Sequence, residues 1–312
     1  MRNETRPIAR RQALKCMAWA GAGVAWAVVG GVPRSVLVGS AKAAEMTAGA
    51  FHFVQISDNH FGFGKEANPD ALGTAKEAIA KINAMPTPPS LILHTGDITH
   101  LSKPVEFDIA QQTLGELRTK DIFFTPGEHD VLDQDPGSLY RERFAKGSKG
   151  DGWYSFDQGG VHFVALVNVM SFAAGNAKIG ADQLDWLAAD LKSRSASTPI
   201  VVFAHIPLWP IYPDWGWNTV DSELALAELK RFGSVTVLNG HIHQVLQKVE
   251  GNVAFHTAMS TAYPQPRPGE APSPGPLKVP ADQLRRLLGV RSIDVVPGKT
   301  ALAVVDTTLA DA

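Results

Sequence analysis

The stretch "HTGDITH", residues 94–100, follows the apolar run "LIL" at 91–93. An acid just past a buried strand is ordinarily a turn or helix-capping residue. Asp97 becomes more than that if other strands deliver ligands to the same point, and four more do. Asp58 and His60 follow "FHFVQIS" (51–57). Glu128, His129 and Asp130 follow "IFFT" (122–125), His205 closes "IVVFAH" (200–205), and His241 and His243 follow "VTVLN" (235–239). Open α/β sheets build their sites at the carboxyl ends of strands.

Working outward, "VHFVALVNV" (161–169), "VAFHTA" (253–258) and "ALAVVD" (301–306) also read as strands. Most of these runs are nearly continuous in apolar residues, as for strands covered on both faces. "WYSFDQGGVHFVALV" reads as a hairpin turning at Gly159-Gly160. Helices are expected from Asn68 as cap with Pro69 first, from Pro104, from Ala181, and from Ser222 to a stop at Gly233. The alternation predicts an α/β domain of two sheets packed between helices. Residues 264–280, "PQPRPGEAPSPGPLKVP", hold seven prolines. They read as a solvated loop, with a semi-rigid flap beside the site as the alternative.

The first 43 residues read as a twin-arginine export signal. Arg10 and Arg11 precede a mildly apolar stretch from Cys16 to Val32, and "AKAA" at 41–44 offers a small-residue cleavage site. An uncleaved anchor is the alternative. The expected mature protein is one catalytic domain, residues 44–312, with no integral membrane segment. Its expected partner in export is the twin-arginine machinery, and its expected place is the bacterial periplasm or beyond. Residues 1–43 hold seven basic groups and one acid, so their removal takes the net charge from −2 to −8. That argues against nucleic acid or an anionic membrane as the main partner. The only cysteine, Cys16, lies in the signal, so a metal site must use His and carboxylate. Such a donor set suits Zn, Mn or Fe. Oligomeric state is not written in the sequence.

Seven groups are candidate ligands: Asp58, His60, Asp97, Glu128, His205, His241 and His243. Residues two apart in extended chain point the same way, so Asp58 with His60, and His241 with His243, read as pincers. Gly96, Gly127 and Gly240 immediately precede ligand groups and permit close backbone approach. One four-coordinate ion would use about half of the seven. Two ions about 3.5–4 Å apart, sharing a carboxylate, would use them all. In that arrangement Asp97 bridges, and a water shared by the two ions is acidified into a nucleophile.

In this order, "DNH", "GD", "GEHD", His205 and "GHIH" resemble the D-x-H, GD, GNHD, H, GHxH series of calcineurin-like metallophosphoesterases, from residue 58 to 243. The helix "ADQLDWLAADL" is similar to the bacterial branch that includes class III cyclic-nucleotide phosphodiesterases. The resemblance implies a four-layer α/β/β/α sandwich and hydrolysis of a small phosphomonoester or phosphodiester by a metal-bridging hydroxide. It also implies two ions, Fe, Mn or Zn. Asp58, His60, Asp97 and His243 would hold one; Asp97, Glu128, His205 and His241 would hold the other. His129 would stabilise phosphoryl oxygens or protonate the leaving group. Glu128 departs from the family's asparagine and adds a negative charge. A non-catalytic metal-binding domain on the same fold is the alternative.

His94 is expected to be a hydrogen-bonded core residue, and His100 to touch substrate. "WPIYPDWGW" (209–217) offers Trp209 and Tyr212 as further substrate contacts, against the alternative of an ordinary packed loop. Asp130 is expected to orient His129 or to cap the next segment.

Overall fold

The computed structural model describes residues 24–29, 32–37, 51–170, 172, 177–295 and 302–311 of the chain. Residues 1–50 and 51–312 form two compact units. In the first, Val24–Val29 pairs antiparallel with Val32–Leu37. The remainder of the expected export signal lies outside the described residues.

The second unit contains two sheets. Strands β1 (Phe51–Ile56), β2 (Leu91–His94) and β3 (Ile122–Phe124) run parallel to one another. Strand β4 (Tyr154–Gln158) pairs antiparallel with β5 (Val161–Ala165). Strands β5, β6 (Ile200–Phe203), β7 (Val235–Asn239) and β9 (Val253–Thr257) are parallel, and β8 (Gln247–Glu250) closes the edge antiparallel to β9. The first sheet is completed by β10 (Gly289–Val295), antiparallel to β1, and β11 (Ala303–Thr308). The orders are β11-β10-β1-β2-β3 and β8-β9-β7-β6-β5-β4.

Alternation along β1 shows why two sheets stack. Phe51 and Phe53 face Phe163, Phe203 and Leu238 of the second sheet. Val54 and Ile56 face the helices α1 (Ala71–Asn83) and α2 (Pro104–Leu114), where Ala75, Ile79, Phe107 and Ala110 meet them. On the far side, Val164, Val202, Val237 and Phe255 pack on α4 (Ala181–Leu191) and α5 (Ser222–Leu229) through Leu187, Leu191, Ala225 and Leu229. The result is the α/β/β/α sandwich. Two short helices, α3 (Ser138–Phe144) and α6 (Ala281–Leu284), complete it. Among the described residues no helix is long and apolar enough to cross a membrane.

Helix α1 is capped by Asp70, whose carboxylate accepts the Gly73 amide at 2.8 Å, and not by Asn68. Asn68 is buried and reaches Thr74 and the carbonyl of Ala262 instead. Helix α5 ends four residues short of Gly233. The Gly159-Gly160 hairpin is present with both residues at positive φ, as the two-residue primed turns require.

Candidate metal centre

Each candidate ligand sits two to four residues beyond a parallel strand, where the backbone has left the ladder. There the chain does something the extended-pincer expectation misses. Among the described residues six non-glycine residues take positive φ, and five are candidate ligands: Asp58 (53°), His60 (44°), Asp97 (50°), His241 (70°) and His243 (53°). L-residues adopt this region at a cost of roughly 1–2 kcal/mol each. Outliers of this kind gather where surrounding structure overrides local preference. The turns are held by cross-strand bonds: the amides of Asp58 and His60 donate to the carbonyls of Gly96 and Asp97 at 3.0 and 2.9 Å. The His241 amide donates to the Asp58 carboxylate at 3.1 Å.

The seven side chains converge as two sets that share a wall. Asp58, His60, Asp97 and His243 have ligating atoms all within 4.8 Å of one another, and so do Glu128, His205 and His241. Asp97 joins them. Its Oδ2 lies 3.4 Å from His60 Nε2 and 3.4 Å from His205 Nε2. His243 Nε2 is 3.2 Å from Asp58 Oδ1. His205 Nε2 and His241 Nδ1 lie 2.9 and 3.0 Å from the two oxygens of Glu128.

These short distances are not ordinary hydrogen bonds. Glu128 Oε2, His205 Nε2 and both ring nitrogens of His241 are buried and make none among the described residues. The atoms converge on a common point rather than on each other. Buried orphan donors and acceptors are costly and call for an explanation. Two cations of the kind held by His and carboxylate would supply it, so the residues present fit a dinuclear centre.

The opposite ring edges are satisfied. His205 Nδ1 donates to the Thr95 carbonyl at 2.6 Å, and His243 Nδ1 to the Tyr263 carbonyl at 2.6 Å. This fixes the tautomer and turns a free Nε2 towards the cluster. Burial, then His129 and His243, hold the His60 imidazole well below its ordinary pKa, leaving it neutral. Burial opposes ionisation of Glu128, but His241 and His205 hold its carboxyl well below the usual value. Burial likewise acts against charge on His205, and the Asp97 and Glu128 carboxylates overcome it and raise the pKa well above normal.

His129 stands at the mouth. Its amide donates to Asp97 Oδ1 at 3.0 Å, and its Nδ1 donates to the His100 carbonyl at 2.6 Å, which leaves Nε2 for a substrate. Burial would depress its pKa; the Asp97 and Glu128 carboxylates outweigh that and raise it. The His100 ring stacks on His129 at 5.0 Å, with its edge on Phe63. His94 is buried and bonded to Asn59. Asp130 does not orient the His129 ring. Its carboxylate gathers the amides of Ile98, Thr99 and Gly127 at 2.7–3.0 Å, tying the Asp97 turn to the Glu128 turn.

Trp209 is 7% exposed and packs on Phe255, in the apolar layer between the second sheet and its helices. Those contacts are the core packing of the ordinary packed-loop alternative. Tyr212 is partly exposed and stands edge-on to Trp215 at 5.0 Å. Two site aromatics were not singled out in the sequence. Phe172 meets His241 edge-on at 5.5 Å. Tyr263 stacks on His60 at 4.8 Å, its hydroxyl 3.1 Å from His60 Nε2. Burial first, then Asp97, Asp58 and Glu128, push the Tyr263 phenol well above its ordinary pKa. The proline-rich segment that follows divides. Residues 264–266 are tied in, with Gln265 donating to the His241 carbonyl at 3.0 Å, while residues 267–270 are exposed.

Gly127 shows how tightly the centre is packed. Its φ of −97° suits any residue, but a Cβ there would lie 2.0 Å from Asp97 Oδ1 and 2.3 Å from the Asp97 nitrogen. Gly127→Ala is therefore expected to displace Asp97 and to lower metal content and turnover by at least the roughly 10–100-fold of a lost supporting contact. Metal analysis of the purified variant beside the parent checks this.

A two-sheet sandwich with His/carboxylate clusters at its strand ends defines the metallophosphoesterase fold. Residues 51–245 match the model of the calcineurin-like phosphoesterases, and the chain belongs to that family. The 3′,5′-cyclic-nucleotide phosphodiesterase of Nostoc sp. is 25% identical over 220 residues, 67% of this chain and 77% of its own. The glycerophosphodiester phosphodiesterase GpdQ of Enterobacter lignolyticus is 26% identical over 240 residues, 68% of this chain and 77% of its own. A dimetal phosphatase from Danio rerio shares the fold. It has a TM-score of 0.58 and 16% identity, over 83% of this chain and 99% of that one.

Proposed function

We propose that this protein is an exported dinuclear-metal phosphoesterase whose preferred substrates are small phosphodiesters. The observation that carries the reading is the shared Asp97 wall between two complete donor sets. Asp58, His60, Asp97 and His243 would hold one ion, and Asp97, Glu128, His205 and His241 the other. Bound there, the two ions supply an acidified water as nucleophile and neutralise charge on the phosphoryl group. The chain's own residues do the rest. Asp97 keeps the two donor sets in register, and Asp130 fixes its turn. His129, held through Nδ1, keeps a proton on Nε2 between two carboxylates and delivers it to the departing alkoxide oxygen. His100 supports that ring from behind and borders the substrate.

Two observations support diesters. Glu128, in place of a neutral amide, lowers the formal charge of two divalent ions and their carboxylates from about +2 to about +1. That weakens the attraction for a dianionic monoester more than for a monoanionic diester. The cyclic-nucleotide and glycerophosphodiester relatives point the same way. A trivalent iron in one position would restore the charge. Glu128→Asn is expected to shift the monoester-to-diester rate ratio towards monoesters by several-fold; an unchanged ratio and metal content would sink the charge argument.

The reading as a whole is tested by hydrolysis of p-nitrophenyl phosphate beside bis-p-nitrophenyl phosphate, with added Mn, Fe or Zn and after chelation. Metal-dependent release, faster from the diester, is expected. No release from protein that binds two ions would leave a metal-binding domain without this activity. The export reading of residues 1–43 is tested separately, by the N-terminal sequence of protein recovered from cells with and without a working twin-arginine pathway.

A further inference from the structure

The mechanism above leaves one buried polar group in the centre without a task. Among the described residues the Tyr263 hydroxyl has a single hydrogen-bond partner, His60 Nε2 at 3.1 Å. That nitrogen is also the one aimed at Asp97 Oδ2 (3.4 Å) and at His243 Nε2 (3.3 Å), the atom through which His60 would hold an ion. Once its lone pair is engaged there, it accepts no hydrogen bond. The phenol is then a buried donor, 4% exposed and screened from bulk water. A buried hydroxyl left unsatisfied costs roughly 1–3 kcal/mol.

The ring has no freedom to turn the hydroxyl elsewhere. It stacks on His60 at 4.8 Å, leans on His243 at 4.6 Å and meets Phe63 at 4.3 Å. Its own carbonyl is fastened by His243 Nδ1 at 2.6 Å. The backbone on either side is fastened too. Ser260 donates to the Asp58 carbonyl at 2.8 Å, and Gln265 to the His241 carbonyl at 3.0 Å. Three of the seven donor residues are therefore anchored to the same short segment that carries the phenol. The carboxylates of Asp58 and Asp97 already accept the His241 and His129 amides and would turn their remaining capacity to the ions. The acceptor left for the hydroxyl is an oxygen of the substrate.

We infer that the Tyr263 hydroxyl is a fixed hydrogen-bond donor to a phosphoryl oxygen of the bound ester, placed beside the Asp58/His60/Asp97/His243 set and across the cluster from Glu128. This rests on the phosphoesterase reading. A donor held at the position where charge develops needs no reorganisation during reaction. It also gives the proline-rich segment a reason to begin where it does. Pro264 and Pro266 stiffen the chain immediately after the phenol, and both are buried although the rest of that segment is largely exposed.

The test is Tyr263→Phe, which keeps the ring stack and the backbone carbonyl and removes only the hydroxyl. Metal content and thermal midpoint are expected to match the parent. Turnover on the better of the two p-nitrophenyl esters is expected to fall roughly 10–100-fold, with KM changed less than kcat, below the roughly 100–1,000-fold of a full oxyanion-hole donor. Calorimetric binding of inorganic phosphate to the two-metal protein is expected to weaken several-fold. Equal turnover and equal phosphate affinity in variant and parent would overturn the inference. So would a visible phenolate-to-metal band in the iron-loaded parent that Tyr263→Phe abolishes, because the oxygen would then be a ligand. A parent that binds two metals but hydrolyses neither ester would instead strike the phosphoesterase reading, and the phosphate titration would still report on Tyr263.

Discussion

Asp97→Ala should remove both metals' shared wall at once and reduce ester hydrolysis by well over the roughly 100-fold that an outer supporting contact contributes. One oxygen of Asp97 accepts the His129 amide at 3.0 Å, and the other lies 3.4 Å from histidines of both donor sets. Its removal thus opens both sets and loosens the turn that carries Glu128 and His129. Asp58→Ala is the useful contrast. Asp58 belongs to one set and meets the other through the His241 amide at 3.1 Å, so Glu128, His205 and His241 are expected to lose less by its removal than by that of Asp97. Metal analysis should find the Asp97 variant well below one ion per chain at a chelator concentration where the Asp58 variant keeps about one. Equal metal content in the two variants would mean that Asp97 does not bridge.

The second large effect concerns stability rather than chemistry. Arg291 in β10 is fully buried. Its guanidinium meets Asp306 of β11 through two bonds of 2.9 and 3.0 Å, Gln55 of β1 at 3.2 Å, and the carbonyl of Thr257 in the other sheet at 2.8 Å. Asp306→Ala strands that cation in the interior and is expected to cost about 3–5 kcal/mol. Replacing both partners, Arg291→Met with Asp306→Leu, removes charge and counter-charge together and should recover most of the loss. Urea unfolding of the single and double variants decides it; a double variant no better than Asp306→Ala would show that packing, not the stranded charge, sets the cost.

Arg291 also shows why part of the fold was hard to read in the sequence. "GVRSIDV" carries a charge at its third position and an acid at its sixth, which breaks the apolar run that marked the other strands. It is a strand because partners distant in sequence satisfy the arginine, and a local pattern holds no record of that. The edge strand "QKVE" was missed for a related reason: all four residues are exposed. The donor residues were legible because their types stand out at the ends of apolar runs, whatever the turn. Their backbone was not. Nothing in "SDNH" or "GHIH" announces positive φ, since it is imposed by bonds such as Asp58 to Gly96, formed between strands. Tyr263 and Phe172 lie outside every motif block. Trp209 is four residues from His205 in sequence, but nearness along the chain is not nearness to the ring, because a strand-end loop can fold back over its own helices.

The five left-handed turns carry a last consequence. Their conformational penalty falls due when the sheets assemble, before any ion arrives, because the bonds that impose them join strand ends to one another. Loading should then resemble filling a rigid socket rather than closing a flexible claw, with little change in backbone circular dichroism or amide exchange. A socket of fixed shape built from imidazole and carboxylate leaves selection among first-row ions to its geometry and to their availability. Which ions it carries would then follow supply in the compartment where the chain folds.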